Sequence, residues 1–277
     1  MEIGQKQRSY SPFGAQFTKV IGMVNMVSIE WFFYKTVPQV LSRVIPQWIL
    51  VRLVPLLFNL QLFYMGKIRP LYRRDEWACV DRFLEYPWIL KNSLPNDDNK
   101  PLRILEVGCG WSLLFAELIR RGYETHTLDL DAYPLSARYP KLSFWKANAT
   151  KMPFEDSTFD EIIAVSSIEH IGPEERYKCM QEIRRVLKED GIALITMPIG
   201  KAGVHYEKDE ISPAEVDQLV ASSNITLVKE EYWKRGKKRW VEVPKAEAES
   251  LYNISEKFKL NPVNVCLALK KISPDSV

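Results

Sequence analysis

The residues best suited to chemistry lie in one short segment, Arg103-Ile-Leu-Glu-Val-Gly-Cys-Gly-Trp-Ser112. An apolar run there is followed by glycines at positions 108 and 110. Glycine lets the backbone approach a ligand closely, and a strand that turns into a helix aims backbone N–H groups at that ligand. Asp129 follows Gly108 by 21 residues, where a carboxylate can accept both hydroxyls of an unphosphorylated ribose. The spacing therefore predicts a nucleoside-binding site.

A dinucleotide fits this turn less well. The fingerprint G-x-G-x-x-G needs a third glycine for approach of the pyrophosphate and close helix packing, and Leu113 stands at that position. A nucleoside without a pyrophosphate suits the segment better. Two glycines can also form an ordinary tight turn, and Asp129 can act as a helix N-cap. The order and spacing of the three residues favour ligand binding.

A parallel sheet is needed to bring these residues together. From about residue 100 the chain alternates apolar strands with helices, which is typical of a parallel sheet covered on both faces. Strands are predicted at 102–107, 123–130, 142–147, 161–166, 192–197, 225–232 and 263–270, and helices at 113–121, 177–187 and 213–222. The bend at Gly108 and the carboxylate of Asp129 are expected side by side at the edge of this sheet.

Four motifs in this order resemble the class I S-adenosylmethionine-dependent methyltransferases, specifically the small-molecule branch related to the ubiquinone-pathway enzymes. The resemblance covers about residues 100–200. Its motifs are Glu106-Val-Gly108-Cys-Gly110-Trp-Ser112, with serine in place of the last glycine of the family signature, then Asp129, then Asn148-Ala149-Thr-Lys-Met152-Pro153-Phe154, where the family commonly begins with Asp, and finally the segment 157–171.

The resemblance implies a fold and a set of cofactor contacts. The fold is α/β and Rossmann-like, with a seven-stranded, mostly parallel sheet whose last strand is antiparallel and helices on both faces. Glu106 would anchor the loop or the amino group of S-adenosylmethionine, Asp129 the ribose, and Leu130 the adenine. Asn148 would accept the adenine amino group through its amide oxygen. The other cofactor-binding residues implied are Gly108, Gly110, Ser112, Ala149 and Ser166.

Methyl transfer needs little acid–base chemistry, because a sulfonium already carries a good leaving group and the enzyme mainly aligns the nucleophile. Transfer to oxygen is the preferred reaction. A hydroxyl acceptor would benefit from a base past the fourth strand, where His170 lies, with Glu169 to orient it or contact the substrate. His170 closing the loop over the cofactor is an alternative. His126 is predicted to be structural, and His205 is a candidate for the substrate loop.

The first 98 residues are predicted to form a helical extension to a methyltransferase domain at 99–277. Residues 44–65 hold a single charged residue, Arg52, yet Pro46 and Pro55 interrupt them. A central arginine costs about 2.5–3.5 kcal/mol on insertion scales, which disfavours a membrane span. A buried lid or a homodimer contact is favoured over an in-plane membrane helix. Residues suited to a membrane surface are Trp31, Phe32, Phe33, Tyr34, Trp48, Lys67, Arg69, Arg73 and Arg74.

Composition limits the partners. A net charge of +3 does not predict a nucleic-acid partner. The four cysteines form no CxxC pair, and no metal-ligand spacing is present, so neither a metal nor a disulfide framework is expected. The polar residues 1–14 do not resemble a secretion signal. We therefore expect a cytoplasmic protein, with peripheral binding at the inner face of the membrane as an alternative.

The acceptor is expected to be a small molecule, a sugar or a lipid-linked glycan. The Glu85-Tyr86-Pro87-Trp88 stretch and the 168–172 loop look similar to methyltransferases of surface-glycan synthesis. Five basic residues lie between Trp233 and Trp240, either in a solvated hairpin turning at Gly236 or in contact with phosphate or anionic headgroups. Two rival functions remain, a non-catalytic scaffold or membrane adaptor of the same fold, and an NAD-dependent reductase or epimerase.

Overall fold

The computed structural model describes residues 45–63, 81–96, 100–110, 112–133, 136–201, 211–236, 239–255 and 262–272. The chain divides into two compact units, Met1–Ile45 and Pro46–Val277, and the helices and strands below belong to the second. Several residues considered above lie outside the described residues, namely 1–44, 67–74, Cys79 and His205.

Among the described residues, eight strands form one sheet: β1 Arg103–Val107, β2 Glu124–Asp129, β3 Leu142–Lys146, β4 Phe159–Val165, β5 Leu187–Ile199, β6 Thr226–Arg235, β7 Trp240–Val243 and β8 Val263–Lys270. Their order across the sheet is β3-β2-β1-β4-β5-β8-β6-β7. Strands β1 to β5 pair in parallel, and β8 runs antiparallel between β5 and β6. The predicted Rossmann-like fold class is confirmed. The central strands are apolar along most of their length because they are buried on both faces.

The sheet has eight strands, whereas the prediction was seven. The additional strand is β7, which pairs antiparallel with β6 from Tyr232 opposite Val243 to Arg235 opposite Trp240. Gly236 makes the connection: its N–H donates to the carbonyl of Arg239 at 3.0 Å, and a Cβ on Gly236 would lie 2.6 Å from that oxygen. The tryptophan-bracketed segment is thus a hairpin whose returning arm extends the sheet.

Six α-helices are present among the described residues: α1 Gln47–Phe63, α2 Asp81–Asn92, α3 Leu114–Arg120, α4 Pro173–Val186, α5 Pro213–Ser223 and α6 Lys245–Asn253. Their termini follow known capping chemistry. Pro173 occupies the first turn of α4, where a missing N–H costs nothing. Before α5, the hydroxyl of Ser212 accepts from the N–H of Glu215 at 3.1 Å, and Asn224 ends that helix in the left-handed conformation.

Helix α1 has two apolar faces. Leu50, Val54 and Phe58 recur every four residues, are buried, and lie on the side that packs against α3. Its other side exposes the large side chains of Trp48 and Leu56. Within the described part of the chain, no helix has both the length and the apolar character needed to cross a bilayer.

Candidate active site

The turn after β1 depends on two glycines with positive φ, 68° at Gly108 and 47° at Gly110. The N–H of Gly108 donates to the carbonyl of Leu128 at 2.8 Å, which ties the turn to β2. A Cβ on Gly108 would lie 2.5 Å from the Cβ of Ser167, so this position has room for glycine alone. Among the described residues, nothing lies within 4 Å of the position that a Cβ on Gly110 would take. The turn therefore has one closely packed side and one open side.

Asp129 ends β2 directly beside this turn. Its Oδ2 accepts from the N–H of Gly110 at 2.8 Å, and its Oδ1 accepts from the N–H of Asp131 at 3.1 Å. An ionised carboxylate offers about four lone-pair sites, so two backbone donors leave capacity for two ribose hydroxyls. The structure thus brings the carboxylate and the glycine bend together.

Glu106 is a buried carboxyl group on β1, one residue before β1 ends. Its Oε2 has no hydrogen-bond partner among the residues that the structure describes. Burial raises its pKa to about 7, against the opposing effects of a hydrogen bond with Ser112 and the charge of Arg82. A buried carboxyl oxygen without a donor is suited to a cationic amino group, which is the partner that the sequence resemblance implies.

The residues expected around adenine are placed differently. Leu130 follows Asp129 and is 64% exposed, so its side chain is available to an aromatic ring. The Oδ1 of Asn148 accepts from both the N–H and the hydroxyl of Thr150, each at 2.9 Å. An amide oxygen has two lone pairs, so this oxygen binds adenine only if Thr150 moves away. Ala149 is partly buried and packs against the core.

The loop after β4 carries the expected catalytic residues. His170 has a side chain 56% exposed, and its Nε2 lies 3.9 Å from Oε1 of the buried Glu169. Burial lowers the pKa of His170, and the charges of Arg82 and Arg176 lower it further. The fully buried Arg176 donates to the carbonyls of Glu169 at 3.0 Å and Ile171 at 2.9 Å, which fixes the loop. A neutral imidazole that is reachable from solvent can act as a base.

Sequence reasoning missed the contribution of α2. The hydroxyl of Tyr86 donates to Oγ of Ser112 at 3.3 Å, and that oxygen also accepts from the N–H of Leu114 at 3.1 Å. Burial raises the pKa of Tyr86 to about 12, so it stays a neutral donor. Ser112 therefore links α2 to the start of α3. The neighbouring Glu85 is fully buried among polar groups of β5, β8 and the loop after β4.

Part of the chain is similar in sequence to known methyltransferases. Residues 105–195 match the model of a methyltransferase domain family. An uncharacterised protein of Methanocaldococcus jannaschii is 29% identical over 112 residues, covering 40% of this chain and 47% of its own length. A ubiquinone biosynthesis O-methyltransferase of Mesorhizobium japonicum is 26% identical over 198 residues, covering 59% of this chain and 76% of its own. The chain spans about half the length of the first of these relatives.

A solved structure shows the same fold. The crystal structure of an S-adenosylmethionine-dependent methyltransferase from Archaeoglobus fulgidus superposes with a TM-score of 0.50 at 16% identity, over 69% of this chain and 94% of that one. The superposition shows the Rossmann-like fold that the sequence predicted, and residues 105–195 match a methyltransferase domain.

The raised pKa of Glu106 predicts a pH dependence of cofactor binding. An ammonium group binds the ionised carboxylate, and with a pKa of about 7 the ionised fraction falls about tenfold from pH 8 to pH 6. We expect the Kd of S-adenosylhomocysteine, measured by calorimetry, to rise about tenfold over that range. Glu106→Gln should bind more weakly at pH 8 and show little pH dependence. A wild-type Kd that is flat with pH would argue against contact between Glu106 and the amino group.

Proposed function

We propose that this protein transfers the methyl group of S-adenosylmethionine to a hydroxyl of a small molecule, a sugar or a lipid-linked glycan. The single observation that carries the proposal is the adjacency of Asp129 and the Gly110 bend, joined by a 2.8 Å hydrogen bond over the open side of the turn. S-adenosylmethionine, when bound, supplies a methyl carbon attached to a good leaving group. The oxygen acceptor is supported by the likeness to the O-methyltransferase of Mesorhizobium japonicum.

The residues of the chain divide the binding task. Asp129 accepts the ribose hydroxyls, Glu106 holds the amino group, and Gly110 leaves space where a side chain would intrude. Ser112 replaces the last glycine of the family signature, and its hydroxyl stabilises the first turn of α3. Little remains for the protein to do chemically except orient the acceptor and remove its proton.

His170 is proposed as the base that removes this proton. Its lowered pKa keeps the imidazole neutral at pH 7, which a base requires. We expect His170→Gln to reduce methyl transfer by about 10²–10⁴-fold, with less loss at high pH where the acceptor ionises without help. His126→Gln is the matched control, because His126 lies on β2, bonded to Trp145 and Glu124. Equal transfer by wild type and His170→Gln would leave His170 as a loop residue only.

The experiment that tests the proposed function is transfer of a tritiated methyl group from S-adenosylmethionine into a lysate of the source organism. The expected result is one labelled product class whose methyl group resists the mild base that removes esters, as an ether does. A labelled amine would contradict transfer to oxygen. Binding of S-adenosylmethionine without any labelled product would favour the scaffold hypothesis.

The hypothesis of an NAD-dependent reductase or epimerase has less support. Leu113, where that class needs a glycine, is a buried side chain packed just before α3. A leucine there prevents the close packing of helix against strand that the third glycine allows in that class. Calorimetry with NAD provides a direct comparison, since S-adenosylhomocysteine and NAD share the adenosine group and differ in the pyrophosphate.

We also propose that the outer face of α1 binds an anionic membrane surface, which would bring a lipid-linked acceptor to the site. Its exposed side chains include Trp48 at 66%, Leu56 at 54% and Leu60 at 52%. Residues 1–74 hold ten of the 38 basic residues and two of the 35 acidic ones, so a net charge of +8 precedes a remainder of −5. Exposed apolar side chains in a segment of net positive charge are typical of proteins that bind membrane surfaces.

Vesicle sedimentation tests this surface. The full chain should bind vesicles containing phosphatidylglycerol much more tightly than vesicles of phosphatidylcholine alone. Leu56→Glu with Leu60→Glu should weaken binding more than tenfold, because each change loses apolar burial and adds repulsion. Val228→Glu on β6, a residue 51% exposed, is the control. If the α1 variants instead dissociate a dimer in analytical ultracentrifugation, a second copy covers this face and the membrane proposal is wrong.

A further inference from the structure

Glu85 of α2 is a completely buried carboxylate that accepts hydrogen bonds from β5, from β8 and from the residue that follows β4. Its Oε1 accepts from the hydroxyls of Ser166 at 2.5 Å and Thr196 at 2.9 Å, and from the amide of Asn264 at 3.3 Å. Its Oε2 accepts from the guanidinium of Arg82. These donors lie at the end of β4, on β5 and on β8, so a single side chain joins α2 to the sheet beside the cofactor turn.

The contact with Ser166 matters because of the backbone there. Ser166 has φ of 41°, in the left-handed region that residues with a side chain rarely adopt. Its N–H donates to the carbonyl of Thr196 at 2.9 Å, while its hydroxyl donates to Glu85. Both hydrogen bonds hold Ser166 in this conformation. The structure around the residue, rather than its own preference, therefore determines the path of the loop.

The path of this loop determines two parts of the site. The next residue, Ser167, packs against Gly108 so closely that a Cβ on the glycine would lie 2.5 Å from the serine Cβ. The 3₁₀ turn Ile168–His170 then follows and presents His170. Arg82, held by Glu85, is one of the charges that lower the pKa of His170.

We propose that Glu85 is a positioning residue, which holds Ser166 in its left-handed conformation and so sets the Gly108 turn and the His170 loop relative to each other. The proposal deepens the proposed function and rests on it. Glu85 acts through Ser166 and Arg82, so it is not a catalytic residue. Its position on α2 lies outside the segment that matches the methyltransferase domain family.

Glu85→Gln is the informative variant because it keeps the size of the side chain. A carboxylate accepts on both oxygens, whereas an amide has one oxygen and one NH₂ group. The glutamine oxygen can therefore accept either from Arg82 or from the group formed by Ser166, Thr196 and Asn264. Whichever of these donors faces the NH₂ group loses its acceptor. Glu161→Gln is a matched control: Glu161 is equally buried, but it lies near the start of β4 and accepts from the N–H of Leu94 at 2.8 Å.

The first measurement is the calorimetric Kd of S-adenosylhomocysteine for the folded full chain, with thermal unfolding alongside. Both variants should unfold at lower temperature than wild type. Glu85→Gln should raise the Kd at least tenfold, and Glu161→Gln should change it less than twofold. Equal effects of the two variants, or no effect of Glu85→Gln, would overturn the proposal.

A double-mutant cycle with Ser166→Ala tests the route of the effect. If Glu85 acts through the Ser166 hydroxyl, Ser166→Ala alone should weaken binding, and adding it to Glu85→Gln should weaken binding by less than the product of the two single effects. Multiplicative effects would contradict the route through Ser166. Ser166→Ala also provides the test if Glu85→Gln does not fold.

Hydrogen exchange separates failure of this inference from failure of the proposed function, because it needs no ligand. Glu85→Gln should speed exchange in peptides covering residues 105–112 and 165–171 at least tenfold, and Glu161→Gln should leave these peptides as in wild type. Unchanged exchange in Glu85→Gln would overturn the positioning role. Absence of S-adenosylhomocysteine binding by wild type, with the expected exchange pattern, would count against the proposed function alone.

Discussion

Replacing Asp129 with alanine is expected to weaken binding of S-adenosylhomocysteine by about 100-fold. A hydrogen bond to a charged group contributes about 1.5–3 kcal/mol, and each 1.4 kcal/mol is tenfold in affinity. Losing the acceptor of two ribose hydroxyls therefore removes at least two powers of ten. The variant also loses the bond from the N–H of Gly110 that orders the turn.

The matched control for this change is Asp131→Ala. Asp131 lies two residues further on, is exposed, and meets Asp129 through its backbone N–H, which alanine retains. Calorimetry at pH 8 should give Asp131→Ala a Kd within about threefold of wild type. Asp129→Asn, which keeps one oxygen, should fall between the two. An Asp129→Ala variant that binds as tightly as wild type would remove the ribose assignment.

Gly108→Ala and Gly110→Ala are expected to fail in different ways. Both glycines have positive φ, which costs alanine about 1–2 kcal/mol. At position 108 the new methyl group also collides with the Cβ of Ser167, so the backbone must shift. We expect Gly108→Ala to lose about 3 kcal/mol or more of folding free energy, by addition of strain and overpacking. At position 110 the methyl group enters open space, so stability should fall only by the conformational cost.

For cofactor binding, Gly110→Ala is the more informative of the two substitutions. The open side of Gly110 is where we propose that the cofactor lies, so Gly110→Ala should raise the Kd of S-adenosylhomocysteine by tenfold or more while its stability falls only by the conformational cost. Chemical denaturation and calorimetry on the same preparations measure the two effects. If Gly110→Ala binds as wild type, the space beside it is not part of the cofactor site. If Gly108→Ala is fully stable, the contact with Ser167 is looser than the structure has it.

The elements that could be predicted are those with a strong local pattern. Val263–Lys270 matches the predicted strand at both ends, and Pro213–Ser223 extends the predicted helix by one residue. The first helix residues of α4 were missed because Pro173-Glu-Glu-Arg176 is polar and shows no apolar period, although proline followed by acidic residues is itself a helix-start signal. β5 begins at Leu187, whereas the strand was predicted from residue 192. The prediction missed its first residues because Gly191 separates them from the apolar run that follows.

The cofactor turn could be predicted because Gly108 and Gly110 follow β1, Asp129 ends β2, and β1 and β2 are parallel neighbours. The role of α2 could not, because Glu85 meets Ser166, Thr196 and Asn264 across 81 to 179 residues of chain. No local spacing encodes such contacts. The Asn148 oxygen is a different case, because Asn-x-Thr is a pattern for local side-chain hydrogen bonding that could have revealed Thr150 as a competitor for the adenine.

The proposed function requires that the carboxyl ends of these parallel strands bind an adenosyl group without a pyrophosphate. Calorimetric titration of the wild-type chain at pH 8 with S-adenosylhomocysteine, and in parallel with NAD, tests it most directly. We expect one S-adenosylhomocysteine per chain with a Kd in the micromolar range, and at least 100-fold weaker binding of NAD. A folded chain that binds neither ligand, or that prefers NAD, would contradict it.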